Sequence, residues 1–423
     1  MSVPLFLTKL LIRTGIAGLL PAVRRLTDGG SDFLHYYGDR VLAAPCRELG
    51  DAAAFLEVHG PDAIDLAAGA PRFDLVPGGS TKLPADRRGW PPLWGLPDLR
   101  TAIAGKLLAD NRLAVNPADE VLVTAGAAGA VSLIFDTFLN PGDRVVLFDP
   151  VSPLYSFTLQ QRRARLRWVP TKVEDGRLRF RLDLLARALG RAKLLVINSP
   201  ANPTGGVIAA EDLEQIAWWA DRYDVLILSD EVFERYRYEG DGGSIGAWPR
   251  AQRRTLTVGS LSKGHALASA RVGWLAGCRH LIRPCVLTAA LQAPFVPTVC
   301  QQIALAALRQ PGEAFEPIRN EFDSRRRYAF ERLRAMGLRP PWPAGAFFFW
   351  VSVAHLGLDG RAFAEGLLRA KKVLVTPGNP FGPSGLSHVR LSYATEDGRL
   401  REGLARLAEY IRELQSGTER RAA

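Results

Sequence analysis

A lysine that closely follows two hydroxyl side chains is the first candidate for covalent chemistry. Ser260, Ser262 and Lys263 fall together in the segment GSLSKG, directly after the apolar run Thr255–Val258, and Arg271 follows eight residues after the lysine. A lysine amine attacks carbonyl carbons, and an arginine near hydroxyl groups suits a bound anion. A single lysine is more often a surface residue, but this grouping predicts an amine nucleophile beside an anion site.

Two more polar side chains follow apolar runs. Asn202 precedes a proline in the segment NPTG, so its backbone is biased toward an extended conformation and its amide can be aimed rigidly. Asp230 follows the run Val225–Leu228, where a carboxylate is costly unless a cation or a donor meets it. The alternatives are a simple turn at Asn202 and a helix cap at Asp230.

Two further features could bind anions: a segment of small residues and an arginine in the C-terminal part of the chain. The segment Gly126-Ala127-Ala128 opens a helical pattern, where free backbone N–H groups and the helix dipole favour a phosphate. Taken alone, such a turn is more often structural. Arg390 stands in the apolar run His388–Tyr393, and an arginine in such a run calls for an anionic partner such as a substrate carboxylate.

These side chains together fit a cofactor that carries a phosphate, a basic ring nitrogen and an aldehyde. Pyridoxal 5′-phosphate has all three groups. The six histidines and four cysteines show no metal-ligand spacing. The sequence therefore predicts pyridoxal 5′-phosphate as the cofactor and no metal.

Short apolar runs that alternate with helical patterns must position these residues. Seven runs are typical of buried strands: Val121–Thr124, Val145–Phe148, Arg165–Val169, Leu194–Ile197, Val225–Leu228, Thr255–Val258 and Val272–Ala276. They predict an α/β fold with a mostly parallel, doubly wound sheet, in which ligands bind at the carboxyl ends of the strands. After about residue 311 the pattern changes to a smaller α+β domain. We expect an N-terminal arm and helix over 1–59, a large domain over 60–310, to which the part before about residue 110 adds a piece of the small domain, and a small domain over 311–423.

Composition narrows the choice of partners. The net charge is +11, but the arginines are spread along the chain without a recognition motif, so we expect no nucleic-acid partner. Four cysteines without a disulfide pattern favour reduced thiols and a cytoplasmic location. The apolar and basic residues 1–26 contain no run long enough to span a membrane. They suggest an amphipathic arm on the protein or on a partner subunit, with attachment to a membrane surface as the alternative.

The chain resembles the class I/II aminotransferases of the fold-type I superfamily of pyridoxal-phosphate enzymes. The resemblance covers about residues 60 to 412 and rests on an ordered set of motifs: Gly126-Ala-Ala, Asn202-Pro-Thr-Gly, Asp230-Glu, Ser260-Leu-Ser-Lys263, Arg271-Val-Gly-Trp and Arg390-Leu-Ser. It implies a seven-stranded, mostly parallel sheet with a smaller α+β domain, a homodimer, and an enzyme that moves an amino group between an amino acid and a 2-oxo acid.

The resemblance also implies a role for each of ten residues. Lys263 would carry the cofactor as a Schiff base and move a proton; Asp230 would pair with the ring nitrogen; Asn202 would contact the ring oxygen and the substrate; Ala127, Ala128, Ser260, Ser262 and Arg271 would hold the phosphate; and Arg390, with a backbone donor from Gly69, would bind the substrate α-carboxylate. Lys263 and Asp230 would be the catalytic pair.

Three residues depart from the family pattern. Phe233 stands where a tyrosine is common, Ser152 where an aromatic often covers the cofactor ring, and Trp90 where a tyrosine reaches the partner's cofactor. These departures leave open a lyase on the same scaffold, either β-eliminating or aminocyclopropane-forming, and more remotely a non-catalytic ligand sensor. The substrate side chain stays open as well, since Trp90, Trp94 and Phe73 fit either an apolar pocket or a core.

Overall fold

The computed structural model describes residues 62–71, 73, 90–240 and 243–422, with side chains up to residue 416. All of these residues belong to a unit that spans Leu56–Ala423. The predicted N-terminal arm over 1–59 and the thiol of Cys46 lie outside the described residues. The division between residues 310 and 311 stays a prediction.

Strands and helices alternate through most of the described chain. The strands are β1 (Ile64–Asp65), β2 (Val121–Thr124), β3 (Arg144–Asp149), β4 (Arg165–Glu174), β5 (Arg177–Phe180), β6 (Leu194–Asn198), β7 (Leu226–Asp230), β8 (Thr255–Ser260), β9 (Gly273–Ala276), β10 (Phe348–Ser352), β11 (Val373–Leu374), β12 (Thr376–Pro377) and β13 (His388–Ser392). The helices are α1 (Pro97–Asn111), α2 (Gly126–Phe138), α3 (Pro153–Gln161), α4 (Leu182–Leu189), α5 (Ala210–Arg222), α6 (Leu261–Gly264), α7 (Arg279–Gln292), α8 (Thr298–Leu308), α9 (Glu316–Ala335), α10 (Gly360–Lys371) and α11 (Asp397–Ala422).

The central sheet has eight strands in the order β2-β9-β8-β7-β6-β3-β4-β5. Strands β4, β3, β6, β7 and β8 are parallel, and β9 runs antiparallel to both of its neighbours. The predicted α/β class and mostly parallel sheet are confirmed, but the sheet has one strand more than the expected seven. The extra strand arises because β4 runs on past Val169 and turns back at Asp175 and Gly176, both with positive φ, into the antiparallel β5.

Apolar side chains cover both faces of the parallel strands. Val196 and Leu228 pack in the core on one face, whereas Ile197 and Ile227 pack in the core on the other. Successive residues of a strand point to opposite faces, so a strand buried on both sides consists almost entirely of apolar residues. The amide and carboxylate side chains of β6 and β7 lie at the strand ends, where Asn198 and Asp230 stand side by side.

A second sheet carries Arg390. Strand β13 lies between β10 and β12, and Arg390 is paired with Trp350 on one side and with Thr376 on the other. The short β1 pairs in parallel with β11, with the Ile64 amide donating to the Lys372 carbonyl at 2.9 Å. The second sheet is formed by the C-terminal part of the chain, and it fixes the position of Arg390. Among the described helices, none combines the length and apolar character needed to cross a bilayer.

Candidate active site

One cavity at the carboxyl ends of β6, β7 and β8 collects the residues singled out from the sequence. Its volume is about 240 Å³. Its lining includes all ten of them: Gly69, Ala127, Ala128, Asn202, Asp230, Ser260, Ser262, Lys263, Arg271 and Arg390. The same lining adds Ser152, Leu154, Tyr155, Asn198, Val232, Phe233, Ala268 and Phe348. Residues up to 321 positions apart in the chain thus share one small space.

Asp230 is a buried carboxylate held by two donors. Its Oδ2 accepts a hydrogen bond from the Tyr155 hydroxyl at 2.6 Å, and its Oδ1 accepts one from the Val232 amide at 3.1 Å. Burial raises the pKa of Asp230, while these two bonds and the charge of Lys263 act in the opposite direction. A carboxylate placed this way gains stability from a further cation, which a protonated ring nitrogen would provide.

Tyr155 was missed in the sequence. It lies in α3 and is fully buried, and burial together with the Asp230 charge raises its pKa well above the usual value. The hydroxyl therefore stays protonated and acts as a donor. The only signal in the sequence is an aromatic residue shortly after Ser152 in an apolar helix, which is equally typical of a core residue.

We expect Tyr155→Phe to narrow the pH range of activity from the acid side. The tyrosine bond favours the charged form of Asp230, so its loss raises the Asp230 pKa further and activity is lost at higher pH as the solution is acidified. The acid limb of the kcat/KM profile should move upward, with an activity loss of about tenfold near neutral pH. Tyr223→Phe, on the protein surface, is the control. An unchanged acid limb would show that the bond does not tune Asp230.

Asn198 also contributes, although it was not predicted. Its Nδ2 donates to the Asp230 carbonyl at 3.0 Å, and its Oδ1 accepts from the Asn202 amide at 2.8 Å. Asn198 therefore fixes the backbone of two residues that line the cavity.

Lys263 lies in the one-turn helix α6, with its amine in the cavity. Its Nζ donates to the Gly69 carbonyl, and its own carbonyl accepts from the Tyr236 hydroxyl at 3.2 Å. Burial, followed by the positive charges of Arg390 and Arg271, lowers the pKa of Lys263 to about 8. A neutral amine is accordingly accessible near neutral pH, which nucleophilic attack requires.

A recess of the cavity lies at the start of α2. Gly126 has φ of +71°, and a Cβ at this position would lie 2.5 Å from Nη2 of Arg271. Glycine is needed there for both the conformation and the close approach of the guanidinium. The Ser260 hydroxyl donates to the Ser262 hydroxyl at 2.9 Å, and both residues line the cavity there. The combination of a helix N-terminus, two hydroxyls and a guanidinium suits a phosphate.

Arg390 lies between two phenylalanine rings. Its guanidinium carbon is 4.3 Å from the Phe348 ring centre and 5.3 Å from the Phe381 ring centre. Nη1 donates to the Asn202 amide oxygen at 2.9 Å, and Nη2 donates to the Ala67 carbonyl at 3.0 Å. Burial lowers the pKa of Arg390 to about 10, opposed by the charge of Asp65. A bound carboxylate would stabilise this guanidinium in its partly buried setting.

The three departures from the family pattern occupy different places. Ser152 and Phe233 both line the cavity. The ring of Phe233 packs edge-on against Phe347, with centroids 5.3 Å apart. Trp90 is 84% exposed and contacts Phe295 at 5.1 Å between ring centroids. Two of the departures therefore bear on the cavity itself.

The other aromatics proposed for a substrate pocket pack in cores. Phe73 contacts Phe315 with ring centroids 6.0 Å apart, and Trp94 packs against the core that surrounds α2. Of the two alternatives, the structure favours a packing role for both residues.

His265 is a buried side chain two residues after Lys263 in the sequence. It is 3% exposed, and neither ring nitrogen has a hydrogen-bond partner within the described part of the chain. Burial, and then the charges of Arg235 and Lys106, lower its pKa from 6.5 to about 2. The unfolded chain therefore binds a proton at His265 below about pH 6.5 that the folded chain does not bind until near pH 2, and this histidine lowers stability as the pH falls.

We expect His265→Leu to flatten the acid side of the stability profile. In the wild type, His265 alone should cost about 2 kcal/mol of unfolding free energy between pH 7 and pH 5. The variant should lose this dependence and gain about 1 kcal/mol at pH 7, because two unpartnered polar atoms are removed. Urea unfolding at both pH values measures the difference, and the exposed His355→Leu is the control. Equal pH slopes for wild type and His265→Leu would contradict the prediction.

Comparison with known proteins agrees with this geometry. Residues 61–407 match the family model for aminotransferase class I and II. The chain belongs to this family. It is 34% identical to an aspartate aminotransferase of Pyrococcus abyssi over 89% of this chain and 97% of that protein. It is 32% identical to aromatic-amino-acid aminotransferase 2 of Thermococcus litoralis, with the same two coverages.

Solved structures show the same fold. The Thermus thermophilus aspartate aminotransferase with maleate superposes with a TM-score of 0.79 at 33% identity, covering 88% of this chain and 99% of that one. The predicted family, fold and activity class are thereby confirmed, and the chain is an aminotransferase acting on amino and oxo acids.

Proposed function

We propose that this aminotransferase uses pyridoxal 5′-phosphate to move an amino group between an amino acid and a 2-oxo acid. The observation that carries the proposal is the joint presence, in one cavity, of the Lys263 amine, the buried Asp230 carboxylate and two guanidinium groups. The recess beside Gly126 and the need of Asp230 for a cation fit this cofactor. When bound, pyridoxal 5′-phosphate supplies a carbonyl carbon that exchanges the amino group and a ring that takes up negative charge.

Each polar residue of the cavity has a separate role in the proposed reaction. Lys263 would hold the cofactor covalently through Nζ, and once released the same amine would take up and return the proton of the substrate Cα. A pKa of about 8 suits this task, because the amine both accepts and releases the proton near neutral pH. Asp230 would keep the ring nitrogen protonated, and the amide of Asn202 would donate to the ring oxygen.

Two anion sites would hold the cofactor by its phosphate and the substrate by its α-carboxylate. The backbone amides of Ala127 and Ala128 and the side chains of Ser260, Ser262 and Arg271 would hold the phosphate. Arg390 binds the substrate α-carboxylate. The carbonyl of Gly69 accepts from Lys263, and its amide is the group we assign to the carboxylate.

A panel of amino donors tests the proposal and separates it from the lyase alternative. We expect the cofactor-loaded protein to pass from the aldehyde-form to the amine-form spectrum with one or more of L-aspartate, L-glutamate, L-phenylalanine, L-tyrosine and L-arginine. A 2-oxo acid should then restore the first spectrum. A β-eliminating lyase given an amino acid with a leaving group on Cβ, such as L-cysteine, would instead release that group, ammonia and a 2-oxo acid, and it would keep the aldehyde-form spectrum. A protein that binds no pyridoxal 5′-phosphate would overturn the proposal.

We further propose a homodimer that forms in the cytoplasm. Leu287 and Leu291 lie one turn apart on α7 and are 70% and 89% exposed, and the exposed Trp90 contacts Phe295 nearby in sequence. Such exposed apolar residues are typical of a subunit interface. We expect Leu291→Asp to shift the protein toward monomers in sedimentation, whereas the exposed Leu108→Asp on α1 should not. An unchanged dimer would place the interface elsewhere.

The described cysteines support the cytoplasmic location, since Cys278, Cys285 and Cys300 are free thiols. Fractionation of the source cells tests it, and recovery of the protein outside the cytoplasmic fraction would contradict it.

A further inference from the structure

The carboxylate of Asp149 connects the central sheet to the loop that precedes β13. Asp149 is the last residue of β3 and is buried. Its Oδ1 accepts from the Ser384 hydroxyl at 2.8 Å, and its Oδ2 accepts from the Ser384 amide at 3.1 Å. Both oxygens thus bind one residue, 235 positions away in the chain.

Two further features bring the same segments together. The Val151 amide donates to the Phe381 carbonyl at 2.8 Å. Gly382 has φ of +134°, and a Cβ there would lie 2.4 Å from Oδ1 of Asp149. Only glycine adopts this conformation readily and permits the approach. The contact is therefore specified on both sides, by a carboxylate on one segment and by a glycine and a serine on the other.

The loop held in this way supports Arg390. The Phe381 ring is fully buried, and its centre lies 5.3 Å from the Arg390 guanidinium carbon. The Trp350 ring contacts Phe381 at 5.4 Å between centroids. A guanidinium over an aromatic face gains electrostatic stabilisation that depends on the position of the ring.

We propose that Asp149 is a positioning residue for substrate binding: through Ser384 it fixes the loop that places the Phe381 ring against Arg390. This inference rests on the proposed role of Arg390 as the site of the substrate α-carboxylate. Asp149 itself is not among the residues that line the cavity. Its effect is on the affinity for the amino acid, because a displaced ring lets the guanidinium turn away from the carboxylate that it binds.

The expected signature is a change in saturation rather than in maximal rate. Weakening the contact should raise the half-saturating concentration of an amino acid about fivefold, the size expected for one misplaced cation–π support. The maximal rate should change less than about twofold, because Lys263 and Asp230 keep their own contacts. A merely structural role would lower stability and the fraction of active enzyme, and it would leave the half-saturating concentration unchanged.

Single-turnover reactions of the cofactor-loaded enzyme with L-glutamate and with L-phenylalanine test this inference. The variants are Asp149→Asn and the milder Ser384→Ala. Asp143→Asn is the matched control, since this carboxylate lies next to the opposite end of β3 and binds the Asn140 amide and Lys193. Arg390→Ala is the reference for complete loss of the carboxylate site. Cofactor affinity is measured for every variant.

The results separate this inference from the function on which it rests. We expect both test variants to raise the half-saturating concentration of the amino acid and to leave the cofactor affinity unchanged. The control Asp143→Asn should change neither quantity. If Arg390→Ala raises that concentration and both test variants leave it at the wild-type value, the role of Asp149 is refuted alone. If Arg390→Ala leaves it unchanged as well, the carboxylate site itself is refuted, and the inference with it.

Discussion

Replacing Lys263 by alanine should lower the rate of amino transfer by roughly 10⁴-fold or more, the upper range of what a positioned acid–base group contributes. The substitution removes the covalent attachment of the cofactor and the carrier of the Cα proton in a single step. The cavity otherwise stays intact, because the amine's one hydrogen bond among the described residues is to the Gly69 carbonyl. Steady-state rates and the half-reaction spectra measure the loss.

Two controls make this result specific. Lys263→Arg keeps the positive charge but removes the nucleophilic amine, so it should be as inactive as the alanine variant. Lys172→Ala removes an exposed lysine and should be fully active. Borohydride reduction of the loaded wild type, followed by peptide mass mapping, should find the cofactor mass on Lys263. Full activity in Lys263→Ala would refute the mechanism.

The sequence predicts the strands of the sheet wherever burial restricts their residues to apolar types. Strands such as β6 and β7 are covered on both faces, so their residues are apolar and their ends are marked by Asn198 and Asp230. The strand β5 was missed because two of its four residues are arginines and its pairing depends on the turn at Gly176. Its apolar residues Leu178 and Phe180 do pack on the core, but two such residues are too few to mark a strand without its hairpin partner.

The cavity residues could be predicted from the sequence for a related reason. Lys263, Asp230 and Arg390 are charged residues in or next to apolar segments, and that contrast is visible in the sequence. Tyr155 and Asp149 show no such contrast. Their importance depends on the partner, Asp230 in the first case and Ser384 in the second, and these partners come from distant segments. Only the fold shows which distant polar atoms meet.

The charged groups of the cavity suggest why the pKa of the Lys263 amine is lowered. The positive charges of Arg390 and Arg271 lower the pKa of Lys263, whereas Asp230 raises it. Anions bound at the two arginines would offset their effect and raise the proton affinity of the amine. Lys263 would then be a better base when phosphate and substrate carboxylate are both in place, which is when the Cα proton must be taken.

Replacing Asp230 by asparagine should lower the rate of amino transfer by roughly 10²- to 10³-fold, as expected for the loss of a buried, preorganised charge at the reacting centre. The neutral amide cannot keep a ring nitrogen protonated, so the ring takes up less negative charge from the substrate. The maximal rate should fall more than the apparent affinity for the amino acid, because Arg390 and its partners are unchanged. Single-turnover rates at saturating donor measure this effect.

Glu231→Gln provides the matched control for Asp230→Asn. Glu231 is the next residue and is also buried, but its carboxylate binds Ser244, Ser229 and Asn111. Burial raises its pKa to about 7, so glutamine resembles the form that it adopts readily. We expect this variant to keep activity within about threefold of the wild type. Equal losses in the two variants would mean that any buried carboxylate at this strand end stabilises the fold, and that Asp230 has no separate electronic role.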